Sequence, residues 1–310
     1  MTDTEAALSG SYGEAPKGYR LSDATRLGVV RLQVADLERS LAFYERTLGL
    51  RVVSRDASHA VLAAQGDDNP LVGLHERPGA RPAAHRGQLG LYHFAILLPD
   101  RPSLGRFMRH LGQIGARAGS ADHLVSEALY LQDPDNLGIE VYADRPRHTW
   151  QRTGRELMMA SDPIDAAGLV QAAGDAAWTG MPAGTTIGHV HLHVGDLATS
   201  SAFFSEALGF DRTVWRYPGA LFLAAGGYHH HLGTNTWAGT GAAPPQAGDA
   251  RLLEWTIEVP DEASLASLED SIRRGGYTFE RDASNGSELL TRDPWGTHIR
   301  VLPSRVRGSA

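Results

Sequence analysis

The chain of 310 residues contains no cysteine. Disulfide bonds, thiolate catalysis and cysteine-based zinc sites are therefore excluded, and any metal must be held by histidine and carboxylate side chains. No apolar run approaches the length of a membrane span, and the first residues lack the apolar core of a signal peptide. From these absences we expect a soluble, cytoplasmic protein.

The chain also has no stripe of positive charge. Its net charge is −7 at pH 7, and its 29 lysine and arginine residues are scattered along the sequence. Proteins that bind nucleic acid or a membrane surface concentrate basic residues on one face. We therefore expect neither partner. Histidine, by contrast, is plentiful at 14 residues, and the length suits about two domains with apolar cores.

One short stretch alternates histidine with aliphatic residues, since residues 188–194 read Gly-His-Val-His-Leu-His-Val. Strict alternation predicts a half-buried β-strand in which His189, His191 and His193 share one face. Three imidazoles on one face favour metal ligands, proton carriers or polar substrate contacts over a purely structural strand.

The region around this strand is duplicated 160 residues earlier. Residues 28–50 match residues 188–210, with Gly, Leu, Val, Asp-Leu, Ser, Ala-Phe and Leu-Gly at equivalent positions. Each copy predicts a strand, a helix that begins after an Asp cap, a Leu-Gly pair that ends the helix, and further strands. In the later copy these strands are predicted at about 211–216, 220–225 and 229–234.

A second duplicated pair accompanies the first. Residues 91–100 match residues 252–261 at an offset of 161, and residues 133–140 match residues 293–300 at an offset of 160. The sequence therefore predicts four βαβββ modules, numbered one to four, at about 27–80, 90–144, 187–240 and 251–303.

These modules predict an α+β fold of two domains with two modules each. Domain one would take residues 26–144, and domain two would take residues 187–303. A flexible N-terminal arm at 1–25, a linker at 145–186 and a tail at 304–310 complete the chain.

Possible metal ligands are concentrated in modules two and three. The positions seven residues before the Asp that follows each first strand hold, in module order, Val29, His93, His189 and Glu254. The last strands offer, in the same order, His75, Glu140, the histidine run 229–231 and Arg300. Modules one and four therefore look like copies that keep the scaffold but have lost the ligands.

The βαβββ repeat with ligands on first and last strands resembles the vicinal oxygen chelate (VOC) superfamily, which has the glyoxalase/bleomycin resistance/extradiol dioxygenase fold. Within it, the chain resembles the two-domain catechol 2,3-dioxygenases, the type I extradiol enzymes. The resemblance covers most of residues 27–303. Its motifs are Leu-Tyr-His93-Phe-Ala-Ile-Leu-Leu-Pro, Asp-Pro-Asp followed by Gly-Ile-Glu140, and Gly-His189-Val-His.

The family holds one iron(II) by two histidines and one glutamate, and the resemblance implies His93, His189 and Glu140 as these ligands. Two imidazoles and a carboxylate on one face of the metal form the facial triad of non-haem iron oxygenases, which leaves adjacent positions open. The implied cofactor is Fe(2+), with Mn(2+) as the alternative. The implied reaction is extradiol cleavage of a small aromatic diol by O2, giving a 2-hydroxymuconic semialdehyde-type product. We also expect a homo-oligomer.

Other family features have counterparts here. Family members carry an acid–base histidine on the last strand of the module that supplies the first ligand, and the candidates are His231 and His230. His231 is preferred because it directly precedes the predicted strand core. Tyr130 matches the family tyrosine ten residues before Glu140, and it is expected to hydrogen-bond a substrate oxygen. His123 matches a second upstream motif, with a spacing to the glutamate that is two residues longer.

Three further residues are placed by position alone. Trp237 and Tyr228 are expected in an apolar wall for the substrate ring. His191 is expected to line the metal-binding cup that the curled sheet forms, or else to make a hydrogen bond within the protein.

The pairing of the modules is open at this stage. In the best-known extradiol enzymes modules three and four form the active pair, which here would offer His189, His231 and Glu254. Pairing of modules two and three would instead join His189 to His93 and Glu140. We favour this second arrangement, because His93 and Glu140 would otherwise lack a purpose.

Two other function classes also stay open. A glyoxalase-like isomerase or lyase would use four protein ligands, for which the candidates are His93, Glu140, His189 and His231. A metal-free binding protein of the same fold would need no such ligands and would keep its ligand affinity in His189→Ala. Fold alone does not separate these functions, because the superfamily includes all of them.

Overall fold

The computed structural model describes residues 12–281 and 287–304. In this part of the chain it has eighteen strands and five α-helices, which confirms the predicted α+β class. The strands are β1 (Arg26–Val34), β2 (Arg51–Arg55), β3 (His59–Ala63), β4 (Pro70–Glu76), β5 (Gly90–Leu97), β6 (Gly119–Asp122), β7 (Ser126–Gln132), β8 (Gly138–Asp144), β9 (Arg152–Thr153), β10 (Glu156–Leu157), β11 (Thr186–His193), β12 (Asp211–Val214), β13 (Ala220–Ala224), β14 (Leu232–Asn235), β15 (Arg251–Val259), β16 (Phe279–Arg281), β17 (Leu289–Arg292) and β18 (His298–Pro303). The helices are α1 (Leu37–Arg46), α2 (Arg101–Gln113), α3 (Ala166–Ala172), α4 (Leu197–Ser200, continued by π-helical turns over Ser201–Ala207) and α5 (Glu262–Arg274).

Sixteen of these strands form two eight-stranded sheets, and β9 pairs with β10. The first sheet has the order β16-β17-β18-β15-β1-β4-β3-β2 and therefore combines modules one and four. The second has the order β12-β13-β14-β11-β5-β8-β7-β6 and combines modules two and three. In each sheet the two halves of the chain meet through one antiparallel pair, β1 with β15 and β5 with β11. The favoured pairing of modules two and three is thus confirmed.

The first helix of every module begins after an aspartate, as predicted. Each carboxylate accepts a hydrogen bond from the backbone N–H three residues later, which caps the helix and is worth about 1 kcal/mol. The four caps are Asp36, Asp100, Asp196 and Asp261. The predicted Leu-Gly ends are also present, and Gly49 (φ 72°) and Gly209 (φ 91°) have left-handed backbones that glycine adopts without strain.

A continuous apolar core contacts both sheets and the helices that cover them. Residues 12–25 belong to the predicted flexible arm, but they pack on module three, where Leu21 is 2 % exposed and Arg20 Nε donates to Asp211 Oδ1 at 2.7 Å. The strand predicted at 229–234 begins later, at Leu232, because the histidine run forms the end of a turn. None of the described helices is long and apolar enough to cross a membrane.

Candidate metal centre

Three side chains converge in the middle of the second sheet because of its strand register. β5 lies between β11 and β8, and Ala95 pairs with His189 on one side and with Glu140 on the other. His93 precedes Ala95 by two residues, so that its side chain points to the same face of the sheet. His93, Glu140 and His189 therefore share one face at the centre of the sheet.

The ligand atoms of these three residues lie close to one another. His93 Nε2 is 3.0 Å from Glu140 Oε2 and 3.2 Å from His189 Nε2, and His189 Nε2 is 3.1 Å from Glu140 Oε2. Ligand atoms at right angles on a metal with bonds of about 2.1 Å lie about 3.0 Å apart, whereas tetrahedral angles separate them by about 3.4 Å. The observed spacing fits three ligands on one face of an octahedral divalent ion.

The protonation states of the ligands also suit a metal. Burial disfavours the charged form of Glu140, but the imidazoles of His189 and His93 outweigh it and hold the pKa of Glu140 well below its usual range. Burial lowers the pKa of His189 to about 4, although Glu140 opposes this shift. At neutral pH the site therefore offers a carboxylate and a neutral imidazole, the forms in which these side chains bind metals. Among the described residues, this is the single group of three or more such side chains whose ligand atoms lie within 4.8 Å of one another.

A cavity of about 170 Å³ opens beside this group and is lined by two of its members, His93 and Glu140. Among the described residues that line it there is no lysine or arginine, and Glu140 is the single carboxylate. Most of the remaining wall is aromatic or apolar: Tyr92, Ala121, Met159, Ala160, Tyr217, Phe222 and Trp237. The cavity therefore suits an apolar, uncharged ring.

Tyr130 and His123, both predicted from the sequence, form a pair in the cavity wall. Tyr130 lies opposite Glu140 in the β7–β8 register, and its hydroxyl contacts His123 Nε2. His123 Nδ1 lies 2.6 Å from the carbonyl oxygen of Ala160, which can only accept, so Nδ1 carries the proton. In the neutral ring Nε2 then accepts from the hydroxyl of Tyr130. Burial, reinforced by Glu140, raises the pKa of Tyr130 well above 10, so that it remains a phenol.

His191 and Trp237 also line the cavity, as predicted. His191 is 4 % exposed, and its Nε2 accepts a hydrogen bond from Asn235 Nδ2 at 2.9 Å. Burial is the main reason that the pKa of His191 lies well below its usual range. Both alternatives for His191, the cup lining and the hydrogen bond, therefore occur together.

The histidine run splits between the cavity and the protein interior. His230 lines the cavity, and its ring centroid is 4.1 Å from that of His189. His231 does not line the cavity, and its Nδ1 accepts the backbone N–H of Ala225 at 3.1 Å. The run lies at the end of a turn before β14, where the direction of each side chain is set by the surrounding elements. Of the two acid–base candidates, His230 therefore lies at the cavity, and His231, the preferred one, does not line it.

Tyr228 lies behind the cavity, which corrects its predicted place in the apolar wall. It is buried in a polar network, where its hydroxyl is 2.7 Å from the hydroxyl of Tyr142 and donates to Asp144 Oδ1 at 3.1 Å. His229 joins the same network, since its Nε2 is 2.8 Å from Asp144 Oδ1 and its Nδ1 is 2.7 Å from His230 Nδ1. The network therefore reaches the cavity through His230.

The alternative ligand sets do not form. Glu254 lies on β15 of the first sheet, where its carboxylate accepts hydrogen bonds from Arg31 and Arg300. The set of His189, His231 and Glu254 is therefore divided between two sheets. The four-ligand set is also incomplete, because the metal-binding group does not include His231.

One part of the cavity wall was not predicted from the sequence. Met159, Ala160 and Ser161 belong to the predicted linker, yet they close one side of the cavity. The linker is not repeated, so the module register that located the ligands does not extend to it. Two other lining residues, Tyr92 and Phe222, were not predicted from the sequence. Tyr92 directly precedes the ligand His93, and Phe222 lies on β13, next to β14; these positions could have indicated them.

Comparison with known proteins agrees with this geometry. The sequence profile described as the Glyoxalase/Bleomycin resistance protein/Dioxygenase superfamily matches residues 26–141 and 186–301. A catechol-2,3-dioxygenase of Bacillus subtilis (strain 168) is 44 % identical over 277 residues, which cover 88 % of this chain and 95 % of that protein.

Two solved structures are similar in fold. A protein of Bacillus subtilis subsp. subtilis str. 168, provisionally described as a dioxygenase, aligns with a TM-score of 0.62 and 12 % identity over 92 % of this chain and 86 % of that one. Glyoxalase I from Zea mays aligns with a TM-score of 0.54 and 19 % identity over 90 % of this chain and 92 % of that one. At such low identity these two matches bear on the fold alone.

Proposed function

Since this chain belongs to the Glyoxalase/Bleomycin resistance protein/Dioxygenase superfamily, we propose that it is an extradiol dioxygenase. It cleaves a catechol-type ring with O2 and releases a 2-hydroxymuconic semialdehyde-type product. The observation that carries this proposal is the convergence of His93, Glu140 and His189 beside a ring-sized cavity. The 44 % identity to a catechol-2,3-dioxygenase over most of both chains supports the same reaction.

We propose Fe(2+) as the metal, with Mn(2+) as the alternative, held by His93, His189 and Glu140. A set of two histidines and one carboxylate is the facial triad that non-haem iron oxygenases use. When bound, the metal supplies the Lewis-acid and redox chemistry that brings the diol and O2 to reaction.

The cavity supports a small, uncharged, single-ring diol as substrate. A buried apolar cavity of about 150 Å³ is large enough for benzene, so that a cavity of about 170 Å³ holds one ring with small substituents. A carboxylated ring would bury a charge without a lysine or arginine to pair with it among the described lining residues, which is costly. Phe222 and Trp237 offer ring faces and edges for aromatic packing with the substrate.

His230 acts as the residue that takes and returns a proton, and the buried network fixes its tautomer. The carboxylate of Asp144 can only accept, so the Nε2–H of His229 donates to it. With the proton of His229 on Nε2, its Nδ1 accepts from the Nδ1–H of His230. His230 Nε2 is consequently left as a proton acceptor at the cavity wall. Burial and the neighbouring His189 hold the pKa of His230 well below its usual range, so it enters the reaction unprotonated.

Tyr130 positions the substrate from the opposite wall. Its hydroxyl faces the cavity between Glu140 and His123, within reach of a diol oxygen bound beside the ligands. The phenol donates or accepts a hydrogen bond there, while His123 Nε2 provides the alternative acceptor for its proton.

The deciding experiment measures metal content and catechol-dependent O2 uptake in anaerobically purified protein. We expect about one iron per chain in the unmodified protein, and loss of both metal and O2 uptake in His189→Ala and Glu140→Gln. His85→Ala, which alters an exposed histidine outside the cavity, should behave like the unmodified protein. Tightly bound zinc without O2 uptake, or full activity in Glu140→Gln, would contradict the proposal.

A further inference from the structure

The first sheet contains a second cup at the place equivalent to the metal centre. The equivalent residues are Glu254 for His93, Arg300 for Glu140, Val29 for His189 and Arg31 for His191. The second cup therefore has no imidazole at the ligand positions, and two of its residues carry positive charge. A ligand of this cup is therefore recognised by different chemistry.

The polar residues of this cup form an ion cluster. Glu254 is 6 % exposed, and its Oε1 accepts from Arg31 at 2.8 Å and from Arg300 Nε at 2.8 Å. Arg300 also binds Glu254 Oε2 at 2.9 Å and Glu288 Oε2 at 2.6 Å. Guanidinium groups thus lie against the buried carboxylate of Glu254, at the place equivalent to the ligand cluster of the other cup.

The ion cluster forms one wall of a cavity of about 380 Å³. The rest of the lining includes the apolar side chains Leu91, Pro244, Pro245 and Trp295, together with Arg251. This cavity is larger than the 170 Å³ beside the metal ligands. It is therefore large enough for an organic molecule with an apolar body and one polar group.

Arg251 supplies a hydrogen-bond donor that has nothing to bind within the described protein. Its Nε is buried, and no described residue accepts a hydrogen bond from it. A buried donor without a partner is unfavourable, and more so when the group is charged. An acceptor on a ligand in the cavity would remove this cost, and a carboxylate fits the planar fork of a guanidinium best.

The charges of the cup indicate a monoanion. The lining holds three guanidinium groups, on Arg31, Arg251 and Arg300, against the single carboxylate of Glu254, and Glu288 adds a second carboxylate at the edge. Burial is the main reason that the pKa values of the lining histidines, His75 and His298, are lowered, so they add no charge at neutral pH. One positive charge is left over, and one negative charge on a ligand neutralises it.

We propose that this second cup binds a small organic monoanion, a carboxylate on an apolar body. Its carboxylate binds Arg251, and its apolar body packs against Trp295 and the two prolines. The charged residues of this site lie on strands of the first sheet and the metal ligands lie on strands of the second, so the two sites share no charged residue, although Gly90 and Leu91 of β5 also line the cavity. Neither the proposed reaction nor its ligands are needed for the binding.

The test measures binding of sodium benzoate to the metal-loaded full chain by titration calorimetry. We expect one benzoate per chain, with affinity reduced at least about tenfold in Arg251→Gln, since a charge-assisted hydrogen bond is lost. Arg292→Gln removes the same charge from β17, outside the cavity lining, and should bind benzoate like the unmodified protein. Both variants should turn over catechol at the unmodified rate.

Three results would overturn the proposal. The first is that Arg251→Gln binds benzoate with the same affinity as the unmodified protein. The second is that benzoate binding disappears in Glu140→Gln, because this result would place the ligand at the metal centre. Inorganic phosphate could also displace benzoate at equal concentration, which would refute the monocarboxylate class. A second readout uses the benzoate-induced change of tryptophan fluorescence, which Trp295→Phe should abolish even if Arg251→Gln proves unstable.

Discussion

Glu140 and Arg300 occupy the same place in two copies of one module, and their opposite charges give the two cups of this protein different binding chemistry. Glu140 lies on the strand that pairs in parallel with β5, and Arg300 lies on the strand that pairs in parallel with β15. The carboxylate faces two imidazoles, whereas the guanidinium faces the carboxylate of Glu254. One scaffold therefore builds a cation site and an anion site from equivalent positions.

His230 and His231 are expected to respond differently to substitution. His230→Gln should lower kcat by about 100-fold or more, because it removes the proton acceptor at the cavity wall. His231→Gln should leave kcat nearly unchanged and lower the melting temperature, because it disturbs the bond to the N–H of Ala225. Steady-state O2 uptake and thermal unfolding, with metal content measured in parallel, distinguish the two. A larger loss of kcat in His231→Gln would refute the assignment.

Tyr130→Phe is expected to weaken catalysis without releasing the metal. The substitution removes the hydroxyl that contacts His123 and faces the cavity, but it keeps the ring. We expect kcat/KM for catechol to fall by about tenfold, the effect of one lost hydrogen bond to a substrate oxygen. Stopped-flow measurement of product formation checks the rate, and elemental analysis checks the metal. Unchanged kcat/KM would mean that Tyr130 serves only in packing.

The absence of basic side chains from the described cavity lining predicts discrimination by substrate charge. We expect kcat/KM for 3,4-dihydroxybenzoate to be at least about 100-fold below that for 4-methylcatechol, which has a similar size and no charge. Met159→Lys should narrow this difference by pairing with the carboxylate. Equal use of both substrates by the unmodified protein would show that the ring does not occupy this cavity.

Two buried aspartates each make a contribution to stability that falls as pH rises, whereas buried histidines such as His189, with its pKa lowered to about 4, make contributions of the opposite sign. Burial raises the pKa of Asp133 to about 7 and that of Asp293 to about 6, although backbone N–H groups bind both carboxyls. In the unfolded chain such carboxyls titrate near about 4. At pH values above about 4 the folded state therefore binds protons at these two carboxyls more tightly than the unfolded chain does. The stability that results from this tighter binding is fully present below about pH 4 and is lost as pH rises through the folded pKa values.

Asp133→Asn should remove one falling contribution, so that between about pH 4 and 7 its free energy of unfolding rises more with pH, or falls less, than that of the unmodified protein, since the amide cannot ionise. Its side-chain oxygen can still accept from the N–H groups of Asp135 and Leu137, at 2.8 and 2.9 Å. Urea unfolding at several pH values measures the difference, which we expect to reach a few kcal/mol, at about 1.4 kcal/mol per pKa unit. Asp68→Asn, at an exposed site, should keep the unmodified slope. The same slope in Asp133→Asn would refute the shifted pKa.

Much of this protein could be predicted from internal repetition. The offsets of 160 and 161 residues located the four modules, the aspartate caps and the equivalent positions at which His93, Glu140 and His189 stand. Repetition works here because a strand has a fixed period of two, so that equivalent positions in two copies point to the same face. The four caps follow from local hydrogen bonding between residues three apart, which needs no knowledge of the rest of the fold.

Tertiary structure decided what no local pattern contains. The pairing of β5 with β11 brings the halves together and completes the ligand set, and it depends on burial of whole strand faces across long sequence separations. Long-range packing also places Met159, which belongs to the unrepeated linker, in the cavity wall. It likewise places His230, and not His231, in the cavity wall beside His189. A turn residue takes its direction from the elements around it. The sequence alone therefore determined which residues could bind a metal, and packing between distant strands determined which of them meet.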